Sequence, residues 1–136
     1  MAAELVILDT SIWIEYFHGK AADLCQDVDA LIATRRLRHL TVITAELLRG
    51  AVATRERRII AQTVAFIPRV PLTDEFWMTV GEFCFDLARQ GVVAHLIDAW
   101  IAKAAINARC ALWSLDHHFS AIARRTPLRL YGGEVG

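Results

Sequence analysis

Four carboxylates stand apart from the other acids of this chain because of where they fall: Asp9, Glu46, Asp98 and Asp116. Asp9 ends the apolar run Leu5-Val6-Ile7-Leu8, and Asp116 ends Ala111-Leu112-Trp113-Ser114-Leu115; both runs read as buried strands. Glu46 follows a second apolar stretch. Asp98 lies among Leu96, Ile97, Ala99 and Trp100, where an acid either turns to solvent or needs a counter-charge. Each has an ordinary structural explanation. Asp9, Thr10 or Ser11 can cap a helix, Asp116 can cap the one beginning at His117, and Glu46 suits the dipole of a helix whose first turn it occupies.

What the four share is an edge. Open α/β sheets bind ligands outside the carboxyl ends of their strands, and right-handed crossovers put those ends along one side. Carboxylates brought together there raise one another's pKa unless a cation neutralises them. All-oxygen donors select Mg²⁺ or Mn²⁺ over zinc. Three or four such acids, with no cysteine and no obligatory histidine ligand, have the chemistry of metal-assisted phosphodiester hydrolysis. In that reaction the cation generates hydroxide near neutral pH and offsets charge on the phosphorane oxygens.

The elements that must hold these acids follow from apolar periodicity and turn residues. Leu5–Leu8 is the first strand, followed by a helix started by Thr10 or Ser11 and ended at Gly19. Leu24–Thr34 is an amphipathic helix and Leu37–Ile43 the second strand. Thr44 then caps the helix that carries Glu46 in its first turn, and Thr54 caps another over 55–66. Between its prolines, 68–72 leaves room for a short edge strand. Thr73-Asp74-Glu75 opens a helix with Phe76, Trp77, Val80, Phe83, Cys84 and Leu87 inward and Gly91 at its end. A helix over 94–108 carries Asp98, with Ile97, Ile101, Ala104, Ala105 and Ala108 as its packing stripe. Strand Ala111–Leu115, a short helix and a last strand, Leu128–Tyr131, complete the chain. Strands alternating with helices predict a three-layer α/β domain over 1–136, its mainly parallel sheet of four to five strands flanked by helices.

Composition sets bounds on function. At 136 residues the chain can bury a core without metal or disulfide staples. Lysine plus arginine and aspartate plus glutamate number 15 each, so the overall charge argues neither for nor against a nucleic-acid partner. Arginine clusters at 35, 36 and 38, at 55, 57 and 58, and at 124 and 125 read first as solvated faces. The hydrophobic fraction of 55% points to a two-sided buried sheet or to apolar surface kept for a partner. Cys25, Cys84 and Cys110 show neither metal spacing nor disulfide pairing, which predicts a reducing, cytoplasmic setting. The amino terminus lacks the pattern of a signal peptide, and 96–113 is too charged for a membrane span.

Four ordered blocks carry a family resemblance: Val6-Ile-Leu-Asp9-Thr-Ser11-Ile-Trp13, Thr44-Ala-Glu46-Leu-Leu-Arg-Gly50, Asp98-Ala-Trp-Ile-Ala102 and Leu112-Trp-Ser114-Leu-Asp116-His-His-Phe119. Together they resemble the PIN domain, and more closely the VapC-type toxins of bacterial toxin–antitoxin pairs. The resemblance implies a Mg²⁺- or Mn²⁺-dependent ribonuclease with Asp9, Asp98 and Asp116 as metal ligands and Glu46 orienting the attacking water. Thr10, Ser11 and Ser114 are then expected to hydrogen-bond the acids or the phosphate. It also implies an RNA substrate, a cognate antitoxin lying across the active-site groove, and a homodimer. His118 occupies a place where many relatives have a further acid, which puts a second metal site in doubt.

Two other readings are open at this point. A non-catalytic PIN-like module for RNA or protein binding would use the acids only as caps. A phosphoacceptor role for Asp9, as in phosphatases of the haloacid dehalogenase kind, requires an acid two residues on, where this chain has Ser11. His117, His118 and His95 read mainly as exposed or capping residues. Trp13, Trp77, Trp100 and Trp113 read mainly as core or partner surface, and Arg49 reads as phosphate contact or solvated face.

Overall fold

The computed structural model describes residues 3–132. Its centre is β1 (Val6–Leu8), whose three side chains are all buried because layers of helix cover both faces. β2 (Leu37–Arg38) and β3 (Ala111–Trp113) flank it, both parallel, in the order β2-β1-β3. The register pairs Val6 with Leu37 and with Ala111, and Leu8 with Trp113. Single parallel bridges extend the sheet at either edge, His39 to Arg69 and Leu112 to Leu130. The two outer strands expected at 68–72 and 128–131 are thus reduced to one bridge each. Prolines at 68 and 71 remove ladder donors from the first of them.

Helices α1 (Thr10–His18), α2 (Ala22–Ala33), α3 (Thr41–Gly50) and α4 (Thr54–Val64) follow β1 and β2. After them come α5 (Phe76–Arg89), α6 (Leu96–Ala108) and the short α7 (His118–Ala123). α1 stops at Gly19, whose left-handed φ of 72° lets its N–H reach the Glu15 carbonyl. α6 is the most enclosed helix. Its residues Ala99, Trp100, Ile101, Ala102, Ala104 and Ala105 are buried, and its alanines permit close approach to α5 and the sheet.

The second strand is shorter than its apolar run predicts. The backbone leaves the sheet at His39, and α3 begins at Thr41, with Leu40 as N-cap and the Ile43 N–H donating to the Leu40 carbonyl. Val42 and Ile43 favour a strand by propensity, but Ile43 and Leu47 lie four apart and bury one helical face, and tertiary burial wins. Thr44 is therefore inside the helix, not its cap, and Glu46 stands in the second turn. Thr54 likewise begins α4 instead of capping it. On α5, Phe76, Val80, Phe83 and Leu87 are buried as the periodicity requires, whereas Trp77 is 46% exposed and leans on Trp100. Among the described residues, no helix is long and apolar enough to cross a membrane.

Candidate active site

The sheet delivers Asp9 and the loop after β3 to the same place. The Asp9 N–H donates to the Trp113 carbonyl at 2.9 Å, so the tips of β1 and β3 are stitched together and Ser114 arrives beside Asp9. Ser114 Oγ donates to Asp9 Oδ2 at 2.7 Å, and Ser11 Oγ donates to the same oxygen at 3.0 Å. The two hydroxyls are themselves held from behind. The Leu115 N–H donates to Ser11 Oγ at 3.0 Å and the Asp116 N–H to Ser114 Oγ at 2.9 Å. Asp9, 7% exposed, makes no side-chain cap to α1, although it occupies the N-cap position. Its hydrogen bonds go to the site, and both recorded ones use Oδ2.

Glu46 joins from α3. Thr10 Oγ1 donates to Glu46 Oε1 at 2.6 Å, so the hydroxyls of Thr10 and Ser11 each hold an acid, Glu46 and Asp9. Asp98 enters from the first turn of α6. Burial holds its carboxyl above the usual carboxylate range, the neighbouring Asp116 and Asp9 push it further the same way, and His118 and His95 oppose them. That coupling places three of the four acids in one electrostatic unit. The basic side chain beside Asp98 is the imidazole of His118, whose Nδ1 lies 3.7 Å from Asp98 Oδ2.

Asp116 does serve as a local cap, since Oδ1 accepts the His118 N–H at 2.9 Å. The ordinary explanation and the site role coexist in one side chain. His118 is the residue that sequence reasoning undervalued. Its Nδ1 lies 3.2 Å from Asp116 Oδ1 and 3.7 Å from Asp98 Oδ2, although the side chain is 65% exposed. The spacing Asp116-x-His118 at the start of a one-turn helix was the available signal, because that helix turns the imidazole back over the acid two residues before it. His95, the N-cap residue of α6, has its ring centroid 5.7 Å from that of His118.

Other candidates fall outside the cluster. Trp13 and Trp100 are core residues, buried too deeply to stack on a base, and Trp113 packs on Tyr131. Arg36 lies at the amino end of β2, where its backbone carbonyl accepts the Val6 N–H, on the sheet edge opposite the acids.

The PIN domain model matches residues 6–125, which spans β1 through the end of α7 and takes in all four acids. The chain belongs to the PIN domain family. Among curated PIN proteins it is similar to Ribonuclease VapC11 of Mycobacterium tuberculosis, 26% identical over 129 residues that cover 92% of this chain and 96% of the relative. Among solved structures its fold is similar to that of VapBC from Salmonella typhimurium bound to DNA. There the TM-score is 0.77 at 17% identity, covering 94% of this chain and 97% of the other. VapBC2 from Rickettsia felis bound to a promoter DNA fragment gives a TM-score of 0.76 at 16% identity, with 93% and 96% covered. As in the rest of the PIN family, the sheet is parallel and the helices flank it.

The donor set suits a divalent cation. Asp98, Asp116 and His118 each present a ligand atom, all within 4.8 Å of one another, and Ser114 links Asp9 to Asp116 by accepting the Asp116 N–H and donating to Asp9 Oδ2. Mutually repelling, half-buried acids of this kind gain most from a cation that neutralises them.

Proposed function

We propose that this PIN domain is a VapC-like endoribonuclease that hydrolyses RNA phosphodiester bonds with a bound Mg²⁺ or Mn²⁺. The observation that carries this reading is the convergence of acids at the carboxyl edge of a parallel sheet: ligand atoms of Asp98 and Asp116 lie within 4.8 Å of each other, and Ser114 ties Asp9 to the Asp116 loop. Asp9, Asp98 and Asp116 would hold the cation. A bound divalent ion supplies Lewis acidity, lowering the pKa of water and neutralising charge on the phosphate.

The chain's own residues do the remainder. Ser11 and Ser114 fix Asp9 by its Oδ2, orienting the carboxylate without occupying Oδ1. Glu46, positioned by Thr10, holds the attacking water in line and accepts its proton as the hydroxyl adds to phosphorus. The phosphorus–oxygen bond to the 3′ oxygen breaks, and the departing oxygen takes a proton from solvent. Solvent access at Asp116 and His118 leaves room for an extended strand of substrate.

An apolar groove adjoins Glu46. It has a volume of about 330 Å³ and is lined by Ile14, Phe17, Leu47, Ile59 and Ile60 from α1, α3 and α4. Ile14 and Ile59 are each about 40% exposed there. Such a groove suits an apolar segment of a cognate antitoxin, which would cover Glu46 and block substrate. The exposed apolar residues elsewhere, Met78 and Phe85 of α5 among them, would supply surface for a homodimer.

Incubating the purified chain with structured RNA and Mg²⁺ or Mn²⁺ tests the activity. Cleavage should disappear with EDTA and in Asp9→Asn and Asp98→Asn, while circular dichroism stays native. Cleavage surviving either substitution refutes the assignment. Mapping product ends identifies the RNA and the sequence cut.

A further inference from the structure

We propose that His118, through Nδ1, is itself a ligand of the divalent cation, making the site a mixed nitrogen–oxygen centre that favours Mn²⁺ over Mg²⁺. The inference rests on the cation-dependent reading above and adds to it a specific residue and a selectivity.

The geometry supports it in three ways. First, Nδ1 stands 3.2 Å from one carboxylate oxygen and 3.7 Å from another, on two different elements. Adjacent donors around an octahedral ion at about 2.1 Å are roughly 3 Å apart, so these separations are those of neighbouring ligands. Second, the backbone of His118 is tied to the same acid that its ring faces, and the ring has a neighbour. The His118 N–H donates to Asp116 Oδ1 at 2.9 Å, and the His95 ring, tilted at 55°, packs alongside the imidazole. Third, His118 completes the one group of three ligand atoms within 4.8 Å found among the described residues. An exposed histidine–carboxylate contact contributes little as an ion pair, which leaves ligation as the use that fits two acids at once.

The chemical consequence is selectivity. Mg²⁺ is hard and keeps oxygen donors, whereas Mn²⁺ accepts imidazole more readily and stands above Mg²⁺ in affinity for such ligands. A carboxylate at position 118 would weaken that preference.

Mn²⁺ titration of the full chain, followed by electron spin resonance, gives the dissociation constant; competition with Mg²⁺ gives the ratio. Electron spin-echo modulation of the bound Mn²⁺ detects directly coordinated nitrogen-14. The nitrogen signal should be present in the wild-type chain and in His95→Gln, and absent in His118→Ala and His118→Asp. His118→Asp should still bind Mn²⁺ but lose at least about tenfold in preference over Mg²⁺, the scale on which changes around a metal act. Because the side chain is exposed, all variants should keep native circular dichroism. Bound Mn²⁺ with no nitrogen signal in the wild type, or a signal unchanged in His118→Ala, overturns the ligand assignment and leaves the ribonuclease reading standing. A wild-type chain that binds no Mn²⁺ overturns both.

Discussion

Thr10 Oγ1 and Glu46 Oε1 lie 2.6 Å apart, joining the first turn of α1 to the second turn of α3 across 36 residues of chain. The hydroxyl donates to a carboxylate, a charge-assisted bond that restricts the rotamer of a partly exposed acid. Thr10→Val keeps the shape and removes the donor. Turnover should fall about tenfold with little change in KM, and Thr10→Ser should restore most of it. Steady-state cleavage of a short RNA checks this. No loss in Thr10→Val, or no recovery in Thr10→Ser, would show that the hydrogen bond is not what sets turnover.

Ser114 ties two strand tips and two acids together, donating to Asp9 Oδ2 and accepting from the Asp116 N–H. Ser114→Ala should reduce cation affinity roughly tenfold, as loss of a ligand's hydrogen-bond partner commonly does. It should cost about 1–2 kcal/mol of stability, because a buried acceptor and a backbone donor both lose a partner. Isothermal titration with Mn²⁺ and urea unfolding separate the two effects.

His39 predicts a pH dependence of folding away from the acids. It is 2% exposed, packs edge-on to Trp13 and hydrogen-bonds the Thr44 hydroxyl. Burial, with a smaller contribution from the Arg69 charge, lowers its pKa from 6.5 to about 4. The unfolded chain thus binds this proton more readily than the folded one. Stability from neutral His39 is fully present above about pH 6.5, falls as pH drops, and levels off below about pH 4. At 1.36 kcal/mol per unit the loss is of order 3 kcal/mol. Urea midpoints measured between pH 4 and 7 should show this slope flattened in His39→Gln; an unchanged slope would assign it elsewhere.

Ala105 is fully buried on α6, the helix that presents Asp98. Ala105→Leu inserts atoms where none fit and should destabilise the fold by about 1–3 kcal/mol. Thermal unfolding should show a fall of several degrees. Cation affinity should fall too, since α6 cannot shift without moving Asp98.

Much of this protein was legible in the linear order of its residues. Apolar runs leading to Asp9 and Asp116 marked buried parallel strands, the second of which stops at Trp113, and spacing of three and four marked α5 and α6, because these signals depend on near neighbours. The edge on which the acids meet followed from the handedness of crossovers. Three-dimensional packing alone decided the rest. The start of α3 depended on Ile43 and Leu47 finding a core to fill, which moved Glu46 to the second turn and within reach of Thr10. The hydroxyls of Thr10 and Ser11, equally able to cap a helix, turned to acids brought from residue 46 and from the tip of their own strand. His118 came to face two acids only when α6 carried Asp98 to the ring nitrogen that already neighbours Asp116. A side chain's hydrogen-bond partner is chosen by whatever the whole fold brings within about 3 Å, and no local pattern contains that distance.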